Sequence, residues 1–191
     1  MPRLWTDTID AHRQAVRDAV VSTTSILVRE NGLASVTMSQ IAEQSGIGRA
    51  TLYKYYPNLE AILAAWHQRH VADHIEHLAQ LGRTSDDLAH RLEAVVGAYA
   101  RIAFRRGREG GDAAAMIHQG EHVARAHDQL NDLFQKLLAD AARAGAVRRD
   151  IPVDELANYT IHALTAAEKL TSEASVQRLV QVTLETLKQQ C

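Results

Sequence analysis

The sequence is poor in the residues that mark secreted and membrane proteins. Its single cysteine, Cys191, excludes an intramolecular disulfide and with it a disulfide-stapled secreted scaffold. It lacks an apolar run of about 18 residues, the length that a membrane-spanning helix needs. Its first residues turn polar too early for a signal peptide. We therefore expect a cytoplasmic protein with no membrane partner.

Proline, glycine and aromatic residues are also scarce. Three prolines and ten glycines in 191 residues leave room for long helices, and alanine and leucine are abundant. The sequence thus predicts an all-α protein. Its formal net charge of -2 does not by itself indicate a nucleic-acid partner, because phosphate binding calls for an excess of basic residues.

One short segment, residues 37–56, predicts a helix-turn-helix unit. Thr37, followed three residues later by Gln40, forms a capping box that starts a helix, and Gly46 ends it. A second short helix over residues 48–55 follows at once, and a longer helix precedes both. Two short helices joined by a glycine-containing turn and packed on a longer one are typical of this motif.

The second short helix carries side chains suited to DNA. Arg49 has the fork of donors that matches guanine, and Ala50 is small enough to meet a thymine methyl group. Hydroxyl and ammonium groups around them suit phosphate contacts, whereas Tyr56 is expected to pack against the fold. The residues predicted to lie at DNA are Thr37, Ser39, Gly48, Arg49, Ala50, Thr51, Tyr53, Lys54 and Tyr55.

The segment "GLASVTMSQIAEQSGIGRATLYKYYPNLEAIL" resembles the DNA-binding domain of the TetR family of bacterial transcriptional regulators, and the resemblance covers about residues 10–66. There are departures from the family pattern. Gly48 stands where the family often has serine, so the recognition helix lacks the usual hydroxyl cap. Ala50 replaces a frequent glycine and Tyr56 a frequent phenylalanine, and Leu59 replaces a frequent lysine that contacts phosphate.

The resemblance implies an architecture and a function. It implies an all-helical homodimer with an N-terminal three-helix DNA-binding domain, here residues 1–56, and a larger effector-binding and dimerisation domain, here residues 57–191. Such a protein is a ligand-responsive transcriptional regulator. We expect a repressor that binds a palindromic double-stranded operator and is released by a small molecule. No enzymatic activity and no cofactor are expected.

The periodicity beyond residue 57 predicts only helices. They cover about residues 58–78, 88–105, 113–121, 122–144, 152–170 and 175–188, with the glycine-rich segment "RRGREGGD" as a loop. Apolar stripes on the last two helices are expected to pair with a second protomer, although such stripes also close monomer cores. The residues predicted for this interface are Leu156, Thr160, Ala163, Leu164, Ala167, Leu179, Val180, Thr183, Leu184 and Leu187.

Bulky residues in the second domain are candidates for an effector pocket. As a group, such residues are more often core than ligand contacts, and no charge cluster marks an ionic ligand. The candidates are Trp66, His70, Tyr99, Phe104, Met116, Phe134, Tyr159 and His162.

Ten histidines suggest an alternative, a metal-responsive regulator or a helical metal-binding protein. His67, His70, His74 and His77 share one face of a helix, and histidines four residues apart can chelate zinc or nickel, although such a stripe is more often a polar face. The segment "HQGEH" matches a zinc-peptidase pattern, but Gly120 interrupts the helix that the pattern needs. The metal candidates are His70, His74, His118 and His122.

Overall fold

The structure is a computed structural model that describes residues 3–109 and 121–188, with side chains from 9–108 and 124–188. All regular elements in these ranges are helical, which confirms the all-α prediction. None of these helices is long and apolar enough to cross a membrane. The α-helices are α1 Arg3–Asn31, α2 Met38–Ser45, α3 Arg49–Tyr55, α4 Leu59–Leu81, α5 Leu88–Glu109, α6 Glu121–Arg143, α7 Val153–Thr165 and α8 Glu173–Leu187, and short 3-10 segments cover Leu33–Ser35 and Ala166–Lys169.

The chain forms two compact units. In the described part, unit 1 reaches His70 and unit 2 begins at Val71, so the division falls within α4. The first three turns of α4 thus belong with α1 to α3. The domain boundary predicted after residue 56 separates the helix-turn-helix from the rest, whereas the packing assigns residues 57–70 to the same unit as that motif.

The core of unit 1 joins its four helices. Leu27 of α1, Ile41 of α2, Leu52 of α3 and Ile62 of α4 are all fully buried in one cluster. Burying a side chain of this size contributes about 1.5–3 kcal/mol. The whole cluster consists of Val20, Leu27, Val36, Ile41, Ala42, Leu52, Tyr56 and Ile62.

An ion pair adds a second link between α1 and α4. The Arg69 guanidinium lies 3.1 Å from the Asp18 carboxylate, and both side chains are about half exposed. An exposed pair of this kind contributes between about 0 and 1 kcal/mol, because water screens it. The orientation of α4 within unit 1 is therefore set mainly by the buried cluster.

The core of unit 2 forms where α5, α6, α7 and α8 meet. Phe134 of α6 is fully buried and meets Tyr99 of α5 edge to face, with ring centroids 5.7 Å apart. Phe104 of α5 lies in the same cluster. Edge-to-face aromatic pairs add about 0.5–1.5 kcal/mol to the burial term.

Helix α5 is longer than predicted. It runs through Gly107 to Glu109, across a segment that we predicted to be a loop. There the helix approaches the 3-10 segment so closely that a Cβ atom on Gly107 would lie 2.6 Å from the Glu168 Cα atom, so only glycine fits. Arg106, next to it, forms an ion pair with the Glu168 carboxylate. These contacts offset the low helix propensity of glycine.

The predicted long helix over residues 152–170 is divided in the structure. It is an α-helix only to Thr165, and Ala166–Lys169 continue as the 3-10 segment. The tighter 3-10 winding brings Glu168 onto α5, while Ala167 is fully buried in the core. Long-range packing thus decides where α7 ends.

Burial of the Tyr99 ring predicts a loss of stability at alkaline pH. Burial raises the pKa of the Tyr99 hydroxyl above its usual value, although the nearby Arg106 guanidinium, which hydrogen bonds to it, acts in the opposite direction. The folded protein therefore holds this proton more tightly than the unfolded chain. The contribution of Tyr99 to folding stability is fully present below about pH 10, and it is lost as the pH rises from there through the pKa of Tyr99 in the folded protein.

Urea denaturation of the wild type and of Tyr99→Phe between pH 8 and pH 11 tests this expectation. The variant should lose less stability above about pH 10, because phenylalanine has no proton to release. Tyr56, whose pKa burial also raises, keeps some alkaline dependence in both proteins. Equal slopes for the two proteins would contradict the assignment to Tyr99.

Candidate nucleic-acid interface

Helices α2 and α3 form the predicted helix-turn-helix. They are joined by a three-residue turn in which Gly46 adopts the left-handed conformation, with φ 68°. Only glycine reaches this region without steric cost, so this residue type fixes the turn. Ile41 and Ala42 of α2 and Leu52 of α3 are buried against one another and against α1. The angle between the two short helices is therefore held by core packing.

Thr37 caps α2, as predicted. Its Oγ1 accepts a hydrogen bond from the Gln40 backbone N–H at 3.3 Å and donates to the Gln40 side-chain oxygen at 2.7 Å. The predicted capping box thus forms with one difference: the Gln40 side chain meets the threonine hydroxyl. Because that hydroxyl proton is already donated to Gln40, a contact from Thr37 to a phosphate would replace this side-chain bond and leave the cap in place.

Removal of the Thr37 cap is expected to destabilise unit 1. Thr37→Ala leaves a backbone donor of α2 without its acceptor and should lower the free energy of unfolding by about 1 kcal/mol. Thr37→Ser keeps the oxygen and should stay within a few tenths of a kcal/mol of the wild type. Urea denaturation followed by circular dichroism measures both, and equal stability of the alanine and serine variants would contradict the cap.

Helix α3 presents most of its surface to solvent. Arg49, Ala50, Thr51 and Lys54 are exposed, whereas Leu52 is fully buried. Gly48 precedes the helix and makes no side-chain cap, as the sequence indicated. Leu52 is therefore the fully buried anchor of this short helix, and Arg49, Ala50, Thr51 and Lys54 remain accessible.

The three tyrosines at the end of α3, Tyr53, Tyr55 and Tyr56, differ in burial. Tyr53 is 53% exposed, Tyr55 is half-buried against the core cluster, and Tyr56 is 8% exposed within it. Tyr56 therefore packs, as predicted. The Tyr55 ring also contributes to packing, which leaves only part of its surface for another partner.

A shallow groove lies between the start of α3 and α2. Its lining includes Ser39, which we predicted, and Glu43, which we did not. Glu43 was overlooked because a single acidic residue on a short helix carries no sequence signal. The complete lining is Ser39, Ala42, Glu43, Ile47, Gly48 and Arg49.

Comparison with known protein families identifies the type of this protein. Residues 20–66 match the family described as bacterial regulatory proteins, tetR family, and residues 98–189 match the C-terminal domain of SbtR-like transcriptional regulators. The chain belongs to the TetR family. The TetR resemblance of the helix-turn-helix segment is thereby confirmed, and the second match extends it to unit 2.

Individual TetR relatives are distant. The tetracycline repressor protein class C of Escherichia coli is 28% identical over 127 residues, which make up 65% of this chain and 54% of the repressor. The chain thus matches about half the length of that relative. A TetR-family regulator from Pectobacterium atrosepticum has a TM-score of 0.74 at 20% identity, covering 92% of this chain and 91% of its own. RolR, in a complex with its ligand resorcinol, has a TM-score of 0.63 at 18% identity, covering 95% and 91%.

Of the eight effector candidates in this TetR chain, three lie in the core of unit 2 and two lie on the surface of α7. Tyr99, Phe104 and Phe134 are buried in contact with the core cluster, where they stabilise unit 2. Tyr159 and His162 are exposed on α7 and do not face that core, and their role as effector contacts stays a prediction. The remaining candidates are Trp66 and His70, which are half-buried and stack with ring centroids 5.4 Å apart, and Met116, which lies outside the described residues.

The predicted dimer interface also needs correction. Six of its ten residues are buried in the core of unit 2 or beside it, so their side chains have no surface to offer a second protomer. They are Leu156, Thr160, Leu164, Ala167, Thr183 and Leu187. The other four, Ala163, Leu179, Val180 and Leu184, are half-buried. The large exposed apolar residues of these two helices are Tyr159, at 44% exposure, and Val182, at 58%, and of the two only Val182 was missed by the sequence reasoning.

In the part of the chain whose side chains are described, the predicted metal ligands belong to no group of three or more metal-binding side chains. Within residues 9–108 and 124–188, no group of three or more histidine, cysteine, aspartate or glutamate side chains is placed to hold a metal ion. His70 and His74 lie in that part of the chain. The side chains of His118 and His122, and with them the "HQGEH" pattern, lie outside it.

Proposed function

We propose that this TetR-family protein is a ligand-responsive transcriptional repressor that binds a palindromic operator as a homodimer. The observation that carries the proposal is the surface of α3. This helix has one buried anchor, Leu52, and exposes Arg49, Thr51 and Lys54 on a rigid support. A helix held in this way can enter the major groove of DNA without reorganising.

The exposed side chains have separate roles in this proposal. Arg49 reads a guanine through two parallel hydrogen bonds, and Thr51 and Ala50 contact neighbouring base edges. Lys54 and Tyr53 contact phosphates and set the register. At the start of α2, Thr37 and Ser39 contact the DNA backbone, and Thr37 then exchanges its hydrogen bond to the Gln40 side chain for one to a phosphate.

Dimerisation supplies the second half-site. A single short helix reads only a few base pairs, and two copies related by a two-fold axis read a palindrome about one helical turn apart. The exposed apolar residues of α7 and α8, Tyr159 and Val182, support an interface through the outer faces of these helices. Ala163 and Leu179 extend these apolar surfaces, since both are only half-buried.

A small molecule releases the operator in this proposal. The named ligand of RolR and the name of the tetracycline repressor support small-molecule control for this chain too. A coupling free energy of about 1–3 kcal/mol between effector and operator would lower occupancy sufficiently. Trp66 and His70 of α4, whose rings stack on each other, are half-buried and are the candidate effector contacts in this proposal.

Selection from random duplex DNA tests the function. The purified protein should enrich a palindrome whose half-sites lie about one helical turn apart, and analytical ultracentrifugation should give two chains per duplex. Leu52→Ala, which removes the buried anchor of α3, serves as a folding-linked negative control. Failure of the wild type to enrich any sequence would overturn the proposal.

Lys54→Ala is expected to weaken binding to all sequences equally. Each lysine that contacts a phosphate releases about one counterion, and the dimer contains two copies of Lys54. The slope of log K against log salt should therefore be shallower by about 2 for the variant than for the wild type. The preference among operator variants should not change. Titrations at four salt concentrations measure the slope, and Lys136→Ala, an exposed lysine on α6, is the matched control. An unchanged slope would exclude Lys54 from the phosphate contacts.

A further inference from the structure

Two histidines from different helices lie side by side on the surface of unit 2. His127 of α6 and His162 of α7 have ring centroids 6.3 Å apart and planes inclined by 72°. Both side chains are exposed. Their neighbours Leu130 and Ile161 are buried in the core, where α6 packs against α7. The spacing of the two rings is therefore set by the packing of two helices.

The hydrogen bonding of His162 leaves one ring nitrogen available. Its Nδ1 lies 2.8 Å from the backbone carbonyl oxygen of Asn158, one turn earlier. A carbonyl oxygen only accepts, so Nδ1 carries the proton and Nε2 has a free lone pair. A histidine that binds a metal ion almost always donates its other ring N–H in this manner, which fixes the tautomer.

The distance between the rings suits a shared ion. With metal–nitrogen bonds of about 2 Å, and with each ring centre about 1 Å behind its nitrogen, two imidazoles on one ion have centroids about 5–6 Å apart. Small side-chain rotations bring His127 and His162 from 6.3 Å into this range. Both rings are exposed, so an ion can enter with water molecules in its remaining positions.

We infer that His127 and His162 form a chelating pair for a late first-row divalent cation. Neutral imidazole favours Zn²⁺, Ni²⁺ and Cu²⁺ over Mg²⁺ and Ca²⁺, which prefer oxygen. The described part of the chain offers no third ligand to this pair, so water completes the coordination. The pair is distinct from the histidines of α4, and it links α6 to α7.

Binding at this site stabilises the fold. The two ligands lie 35 positions apart in the sequence and are brought together only in the folded chain. An ion that binds the folded form and not the unfolded chain raises the melting temperature in proportion to the logarithm of its concentration. Zn²⁺ should therefore raise the melting temperature of the wild type by a few degrees.

Calorimetric titration of the untagged full chain with Zn²⁺, together with thermal melts, tests the site. We expect the wild type to bind one Zn²⁺ that His127→Ala and His162→Ala each weaken at least tenfold. The double variant should bind Zn²⁺ no more weakly than either single variant, because one ring alone cannot chelate the ion. Both side chains are exposed in the single chain, so the metal-free variants should keep the fold. Because His162 lies between Tyr159 and Ala163 of the proposed interface, the melts are compared at equal dimer content.

Two control variants separate this pair from the other histidines. His90→Ala removes an exposed histidine that pairs with Asp87, and His74→Ala interrupts the α4 stripe. Both variants should bind one Zn²⁺ with the affinity of the wild type. Wild-type binding that persists in His127→Ala and His162→Ala, or that disappears in His74→Ala, would overturn the inference.

A spectroscopic measurement counts the ligands directly. Electron spin echo modulation of one bound Cu²⁺ per chain should report two imidazoles in the wild type and one in each single variant. One imidazole in the wild type would show that the two rings do not share an ion. Neither readout involves DNA, so the result is independent of the proposed repressor function.

Discussion

Arg49→Ala is expected to lower operator affinity by about 1–3 kcal/mol at each half-site, and by about 2–6 kcal/mol for the dimer on a palindrome. Arg49 is the first residue of α3, and it is exposed beside the groove between α2 and α3. The guanidinium has two parallel donors for one guanine, whereas alanine has none. Preference for that base pair should therefore decrease, while preference at other positions persists.

Two substitutions separate recognition from charge at this position. Arg49→Lys keeps the positive charge and loses the planar fork, so it should retain the salt dependence and lose preference for the base pair. Arg83→Ala removes an exposed arginine of unit 2 and should leave binding unchanged. Fluorescence anisotropy on the selected operator and its single-base variants measures each case. If Arg49→Ala kept both affinity and sequence preference, another residue would read the operator.

Phe134→Ala is expected to destabilise unit 2 by about 3–5 kcal/mol. The ring is fully buried and meets Tyr99 edge to face. Alanine removes most of the buried apolar surface and leaves a cavity that the surrounding helices fill only in part. Because small domains have a total stability of about 5–15 kcal/mol, a loss of this size removes a large part of the free energy of unfolding.

Chemical denaturation measures the loss, and neighbouring substitutions control it. Phe134→Leu keeps an apolar side chain of similar reach and should cost much less than alanine. Lys136→Ala, exposed two residues away, should stay within about 0.5 kcal/mol of the wild type. If the two compact units unfold in separate transitions, only that of unit 2 should shift. A loss below about 1 kcal/mol for Phe134→Ala would show that this core repacks easily.

The sequence alone determined the helix-turn-helix of unit 1. The Thr37 cap, the Gly46 turn and the end of α3 before Pro57 are features of neighbouring residues. Each restricts the backbone locally, so a single sequence suffices to predict it. The exposed positions of Arg49, Thr51 and Lys54 follow from helical spacing, because the buried Leu52 fixes which face of α3 packs.

Only the tertiary structure decided the arrangement of unit 2. Helical periodicity predicts that a stripe such as Leu156, Thr160 and Leu164 is buried, but it does not say whether the partner is the same chain or a second copy. The continuation of α5 through Gly107 and the pairing of His127 with His162 are also absent from any local pattern. These features join residues far apart in the sequence, and their positions depend on how whole helices pack.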